Sequence, residues 1–220
     1  MHIIGLVGPI ACGKGVVADY LIQKYGYSSF SLSSLLHDEL KRRGITYFTR
    51  ATLQDLGDEL RRKEGEGVLA KRAIQQLKAE SQKLKACSLQ LETYNLQNKN
   101  QANRKKTEEK LQVTSFKFQK ILIEGIRNPG EVAFLRTIPG FILIAVDASA
   151  KTRFQRILQR GKPWDPKDWK SFLKVDGRDR EDIGNASGQQ VRRCMELADA
   201  RIENEGEKGE VEEAVKSLSF

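Results

Sequence analysis

The stretch HIIGLVGPIACGKGVVAD, His2 to Asp19, decides the fold. An apolar run, Ile3, Ile4, Leu6 and Val7, stops at Gly8-Pro9, and helical spacing through Val16, Val17, Tyr20 and Leu21 begins after Gly15. Between them Gly8-Pro9-Ile10-Ala11-Cys12-Gly13-Lys14-Gly15 matches G-x-x-x-x-G-K, in the strand-loop-helix setting that gives the match physical meaning. Glycines let the backbone turn its N–H groups inward, and the next helix aims its positive end at the same point. Such a loop cradles phosphates. Gly8, Ala11, Cys12, Gly13, Lys14, Gly15 and Val16 line it, and Lys14 is the mobile cation for the β and γ phosphates of ATP. Gly15 stands where a Ser or Thr hydroxyl helps hold Mg²⁺. Either Mg²⁺ rests on nucleotide oxygens, water and an acidic residue elsewhere, or phosphoryl transfer is weakened.

A chain of 220 residues, 39% hydrophobic, suits one well-buried α/β domain plus an excursion rather than two full domains. The N-terminal apolar run is too short for a signal peptide, and no stretch is apolar enough to span a bilayer. Cys12, Cys87 and Cys194 are too widely spaced for a zinc site or a disulfide framework, so a reduced, cytoplasmic protein is expected, with Cys12 a small residue that fits the loop. The net charge of +9 is localised. Lys78 to Lys117 holds nine Lys or Arg against four Glu, and Lys151 to Asp182 ten against six acids, giving +5 and +4. Everything else sums to zero. The basic Lys99 to Lys110 stretch lacks interleaved aromatics for base stacking, so nucleic acid is not the expected partner.

Further along, Tyr27 to Leu32 alternates as a short strand, and helices are expected from Ser33 or Ser34 to Gly44 and after Thr49, broken around Gly65 and Gly67. From Ala73 onward Leu77, Leu84 and Leu91 recur every seven residues, with Cys87 and Tyr94 three after the last two. That helix either pairs with a partner or second copy, or packs on its own domain. Asn95 to Lys110 has almost nothing to bury. Lys120 to Glu124 and Phe141 to Asp147 read as buried parallel strands, the first ending in a carboxylate. A helix capped by Asn128 and one from Ser149 to Arg160 follow them. Lys162 to Asp182 has few runs of core residues and reads as a hinged flap; Ala200 to Glu203 is a last short strand. The expectation is a three-layer, doubly wound parallel sheet of the P-loop type, with ligands beyond the carboxyl ends of the strands. Its core is residues 1–77 and 119–220, with a lid at about 161–183 and a basic insertion at 78–118.

The Gly-Lys-Gly loop resembles that of adenylate kinase and other nucleoside monophosphate kinases, which carry Thr one residue later, where this chain has Val16. Glu124-Gly125-Ile126-Arg127 resembles their Asp-Gly-Phe-Pro-Arg stretch, with one residue deleted. The resemblance implies that Glu124 lies near Mg²⁺, through water, and that Arg127 holds the acceptor phosphate. Arg156-Ile157-Leu158-Gln159-Arg160 resembles the Arg-x-x-x-Arg at the base of the same family's lid. Arg153, Arg156 and Arg160 share a helical face, and either converge on a phosphoryl group in flight or form a solvated basic face. Ala198 to Gly206 is similar to the Ala-Asp-x-x-Ile-x-Asn-x-Gly segment of dephospho-coenzyme A kinases, which implies Asn204 beside the donor adenine. Ser31 to Gly44 and Thr49 to Arg61 look closest to an uncharacterised group of kinase-like proteins and to kinase-like domains fused to deoxycytidylate deaminases. There His37 replaces an acceptor arginine, and is either a ligand or a surface residue; Arg61 sits near the end of the following helix.

Two further readings stay open. Glu131, four residues after Arg127, either reads the acceptor base or closes a capping box with Asn128. Arg178, within Asp176-Gly177-Arg178-Asp179-Arg180, either closes a lid over polyphosphate or forms solvated ion pairs. The function implied is transfer of the γ-phosphoryl of ATP, with Mg²⁺, to a nucleoside monophosphate or similar small phosphorylated acceptor. The alternatives are a dephospho-coenzyme A kinase and a nucleotide-gated sensor with vestigial catalysis.

Overall fold

A computed structural model describes residues 2–97, 120–162, 165–180, 184–206 and 208–218, without the side chains of 84, 85, 87–97 and 208. The chain runs β1 (His2–Val7), α1 (Lys14–Tyr25), β2 (Ser28–Ser31), α2 (Leu32–Arg42), α3 (Arg50–Glu64) and α4 (Val68–Gln97). It continues with β3 (Lys120–Glu124), α5 (Pro129–Arg136), β4 (Phe141–Asp147), α6 (Ala150–Arg160), α7 (Trp169–Arg180), α8 (Val191–Glu196), β5 (Ala200–Glu203) and α9 (Lys208–Ser217). Among the described residues the strands form one parallel sheet in the order β2-β3-β1-β4-β5.

Side-chain alternation along the strands divides the core into two layers. Ile3 and Val7, with Ile121, Ile123, Leu143 and Ala145, pack against α2, α3, α4, α5 and α8 through Leu36, Leu60, Ile74, Val132 and Val191. Ile4 and Leu6, with Leu122, Ile144, Val146 and Ile202, pack against α1 and α9 through Val17, Leu21, Val211 and Val215. Strands buried on both faces must be continuously apolar, which is how β1, β3 and β4 read. Central β1 has β3 on one side, with Leu6 opposite Glu124, and β4 on the other, with Val7 opposite Ala145. The chain therefore diverges to both sides at the carboxyl end of β1, where the Gly8 loop emerges, and this is where such sheets open a crevice.

The first turns of α4 belong to the core, since Val68, Leu69, Ala73, Ile74 and Leu77 are buried. The heptad positions Leu84, Cys87, Leu91 and Tyr94 lie on its helical backbone, but their side chains fall outside the described residues, as do residues 98–119. No helix among the described residues is long and apolar enough to cross a membrane.

The segment read as a hinged flap is corrected. It contains α7, whose Phe172 is fully buried against Ile10 and Ile157, with Phe154 and Trp169 packed around it at ring-centroid distances of 5.4 and 5.3 Å. Two of its carboxylates, Asp176 and Asp179, are also buried, and each is paired with arginine. Paired charges have replaced the apolar run that periodicity looks for.

Candidate active site

The loop between β1 and α1 is shaped by backbone that only small residues tolerate. A Cβ on Gly8 would stand 2.0 Å from the Val146 carbonyl oxygen, and one on Gly13 1.8 Å from Asn204 Nδ2. Gly13 also adopts a left-handed φ of 95° and Ala11 one of 59°. Lys14 Nζ folds across the loop, donating to the carbonyls of Gly8 at 2.7 Å and Pro9 at 2.8 Å and lying 3.4 Å from Cys12 Sγ. The first turn of α1 has no side-chain cap and no acidic residue. Val16 N–H donates to the Gly13 carbonyl at 2.9 Å, no carboxylate or hydroxyl serves that turn, and an anionic phosphate suits such a helix start. A Cβ on Gly15 would meet nothing within 4 Å, whereas Val16 packs on the apolar layer beneath.

The loop is braced from behind by the end of β5. Asn204 Nδ2 donates to the Cys12 carbonyl at 2.9 Å, and its Oδ1 accepts from Arg156 Nη2 at 3.1 Å. Arg156 Nη1 reaches the same carbonyl at 3.4 Å. Glu205 accepts from the Ser149 backbone and, at 2.7 Å, from the Thr152 hydroxyl, which ties the loop after β5 to the start of α6. Asn204, only 3% exposed, is thus a strut for the phosphate loop rather than a side chain open to an adenine ring.

The three arginines of α6 do not converge. Arg156 lies on the phosphate loop, but Arg153 is fully buried, forking onto Asp176 and donating to the carbonyls of Ala148 at 3.0 Å and Ile10 at 3.3 Å. Its guanidinium also lies over the Phe172 ring at 5.4 Å. Arg153 as a phosphoryl ligand is corrected to a staple between α6, α7 and the phosphate loop. Arg160 is held by both oxygens of Asp165, at 2.6 and 2.7 Å. Arg178 pairs with Asp55 at the surface.

On the other side of β1, a cavity of about 180 Å³ opens beside the end of β3. Leu32, Leu36, Leu53 and Leu69 give it an apolar wall, and His37, Arg50, Gln54, Arg61, Arg127 and Gln189 a polar one. The exposed His37 ring meets Phe48 edge-on at 5.0 Å. Arg127 Nη1 donates to Gln189 Oε1 at 2.8 Å and lies 3.1 Å from Asp179. Arg50 Nη2 and Gln54 Nε2 each donate to Asp179 at 2.6 Å. Burial alone would raise the Asp179 carboxyl, but the charges of Arg127 and Arg50 outweigh it and hold it below the usual carboxylate range. Glu124, at the end of β3, accepts from the Ser29 hydroxyl at 2.6 Å. No group of three His, Cys, Asp or Glu that could hold a metal occurs among the described residues.

Glu131 as a reader of the acceptor base is corrected. Its carboxylate is fully buried, with Oε2 accepting from the backbone N–H groups of Arg127 at 2.8 Å and Asn128 at 3.2 Å, which closes a capping box. Its Oε1 accepts from Arg61 Nε at 3.0 Å and Nη2 at 2.9 Å. Arg61, 2% exposed, is also held by Asp58 and the Ser187 carbonyl, each at 3.3 Å, and so supports the cavity wall. Glu131→Gln should therefore leave any preference among acceptor bases unchanged while lowering stability by about 1.5–3 kcal/mol, the range for a lost charged hydrogen bond. Denaturant unfolding together with kcat/KM across the bases checks both halves.

Arg50, Gln54, Asp179 and Gln189 are absent from the residues that the sequence singles out for a site. A signal for the first two existed, because Arg50 and Gln54 are four apart at the start of α3 and so share a face. Asp179 lies in the alternating-charge stretch around Arg178, which gives no hint of its partners, and nothing local marks Gln189.

No protein-family model matches the chain. It is similar to UPF0200 proteins of Hyperthermus butylicus, at 26% identity over 98% of this chain and 92% of the relative, and of Thermococcus sibiricus, at 27% over 99% and 93%. Among solved structures it is similar to an uncharacterized protein from Eubacterium ventriosum, with a TM-score of 0.50 and 16% identity over 98% of this chain and 96% of that one. A shikimate kinase from Aquifex aeolicus aligns with a TM-score of 0.45 and 13% identity, over 98% and 94%. The Eubacterium likeness concerns the fold alone. The finer resemblances to adenylate kinase, dephospho-coenzyme A kinases and deaminase-fused domains receive nothing from these relatives.

Proposed function

We propose that the protein transfers the γ-phosphoryl group of ATP to a small anionic acceptor, with a nucleoside monophosphate as first choice. The observation that carries this reading is the uncapped first turn of α1, with Lys14 folded over the loop, one strand away from an arginine-lined cavity. Adjacent parallel strands lie roughly 4.8 Å apart. Because β1 and β3 are neighbours, the phosphate loop and Gly125-Ile126-Arg127 share one edge of the sheet. A donor on the loop and an acceptor in the cavity would therefore meet near the carboxyl end of β1, the proximity that phosphoryl transfer requires.

In this reading the α1 N–H groups and Lys14 bind the donor phosphates, Arg156 neutralises charge beside the loop, and Arg127 with Arg50 anchors the acceptor. Mg²⁺, when bound, screens the phosphate charges. Glu124, oriented by Ser29, is the carboxylate that would hold it, through water, alongside nucleotide oxygens. An acceptor phosphate is already a nucleophile, so no general base is needed. Arg127→Ala and Arg156→Ala should each lower turnover on the order of 10²-fold, as for other preorganised charge stabilisers. Arg160→Ala, whose partner is Asp165, should lower it less than about tenfold by the same standard.

The test is a coupled assay of ATP consumption against a panel of nucleoside monophosphates and dephospho-coenzyme A. Consumption dependent on one acceptor, and lost in Lys14→Ala, supports the transferase. ATP binding without acceptor-dependent turnover would favour the nucleotide-gated sensor instead. The absence of a hydroxyl at both Gly15 and Val16 is what keeps that second reading open.

A further inference from the structure

Asp179 is the penultimate residue of α7, in the last helical turn, where the helix dipole disfavours an anion. Its carboxylate is nevertheless the most heavily bonded group on that helix outside the Asp176 staple, and every partner named for it belongs to the cavity wall: Arg50, Gln54 and Arg127. Arg50 Nε, moreover, is buried without a hydrogen-bond partner. The Arg50 side chain, 22% exposed, lines the cavity with that donor unused, and the charge count says what anion the site would match. Two arginines less one aspartate present a single net positive charge. A phosphate monoester carries about −1.5 to −2 at neutral pH, so it is matched only when Asp179 lets go.

The geometry points to Asp179 as an internal latch: its carboxylate stands in for the acceptor's anionic group, and an entering phosphate displaces it from Arg50 and Arg127, freeing the last turn of α7. This deepens the proposed transferase, on whose acceptor site it rests. Asp176, three residues earlier, remains stapled to Arg153, so release is confined to the end of the helix. Phe172 likewise stays packed on Ile10, and Arg153 of α6 on the Ile10 carbonyl, so the phosphate loop keeps its support when the end of α7 is released.

The test uses inorganic phosphate without nucleotide or metal, followed by calorimetry on wild type, Asp179→Asn and Asp179→Asn/Arg50→Gln. Binding at the α1 loop is common to all three and cancels. The latch requires Asp179→Asn to bind phosphate at least about tenfold more tightly than wild type, or about 1.4 kcal/mol, with the gain lost in the double variant. Equal or weaker binding by Asp179→Asn would make the carboxylate a positioning group for the arginines and overturn the latch. Should the variant fail to fold, wild type still decides. Saturating phosphate should speed amide exchange at residues 177–180 and slow it in the first turn of α3; unchanged or slower exchange at 177–180 refutes the latch. Failure of the transferase reading would appear in turnover, which neither measurement uses.

Discussion

Lys14→Ala is expected to erase the thermal stabilisation that ATP with Mg²⁺ confers on the wild-type protein. A ligand bound only by the folded state stabilises it by about 2.7 kcal/mol when present at a hundred times its Kd. For a domain of this size each kcal/mol is worth about 2–4 °C in Tm, so wild type should gain roughly 5–11 °C by the same relations. The variant keeps the loop backbone and the α1 N-terminus but loses the cation that now bridges the Gly8 and Pro9 carbonyls. Each protein must be compared with its own nucleotide-free form, because the loss of those two hydrogen bonds itself alters the baseline. A wild type that shows no shift at millimolar ATP would remove the phosphate loop from the reading altogether.

The largest loss of stability is expected from Arg153→Ala or Asp176→Ala. Both partners are buried; removing Asp176 leaves Arg153 with only the Ala148 and Ile10 carbonyls, and removing Arg153 leaves Asp176 with only the half-exposed Arg180 at 3.1 Å, a cost of about 3–5 kcal/mol for a broken buried pair. Thermal unfolding should shift down by roughly 6–20 °C. Much of the penalty is the desolvation of the charge left behind, so Arg153→Met combined with Asp176→Leu should recover a large part of it. Nucleotide-induced stabilisation should survive in that double variant, because Arg153 faces the Ile10 carbonyl rather than a phosphate. If instead both single variants unfold within a degree or two of wild type, α7 is not anchored through this pair.

The contrast between Arg153 and Arg156 shows where sequence stops being informative. Apolar periodicity made the sheet, its doubly wound topology and the loop after β1 legible, because strands buried on both faces have no alternative to continuous Ile, Leu and Val. Helical spacing also put Arg153 and Arg156 on one face of α6, correctly as geometry. What each guanidinium touches depends on Asp176, 23 residues on, and on Asn204, 48 residues on. No local pattern encodes those distances. The cavity is harder still, since the pair Arg50 and Asp179 is 129 residues apart. Glu131 was legible as one of two choices, and its Asn128 partner at capping-box spacing pointed to the one that the fold adopts.

The strut from Asn204 to the Cys12 carbonyl spans 192 residues and joins the end of β5 to the loop after β1. Ribosomal synthesis proceeds from the N-terminus at about 5–20 residues per second, so roughly 10–40 s separate the appearance of these two residues. During that interval the Gly8–Val16 segment exists without its brace, and β1 also waits for both neighbours, β3 and β4. A segment made early in this domain is thus among the last to be finished, and any nascent chain held short of residue 204 carries the phosphate-loop motif without the strut that shapes it.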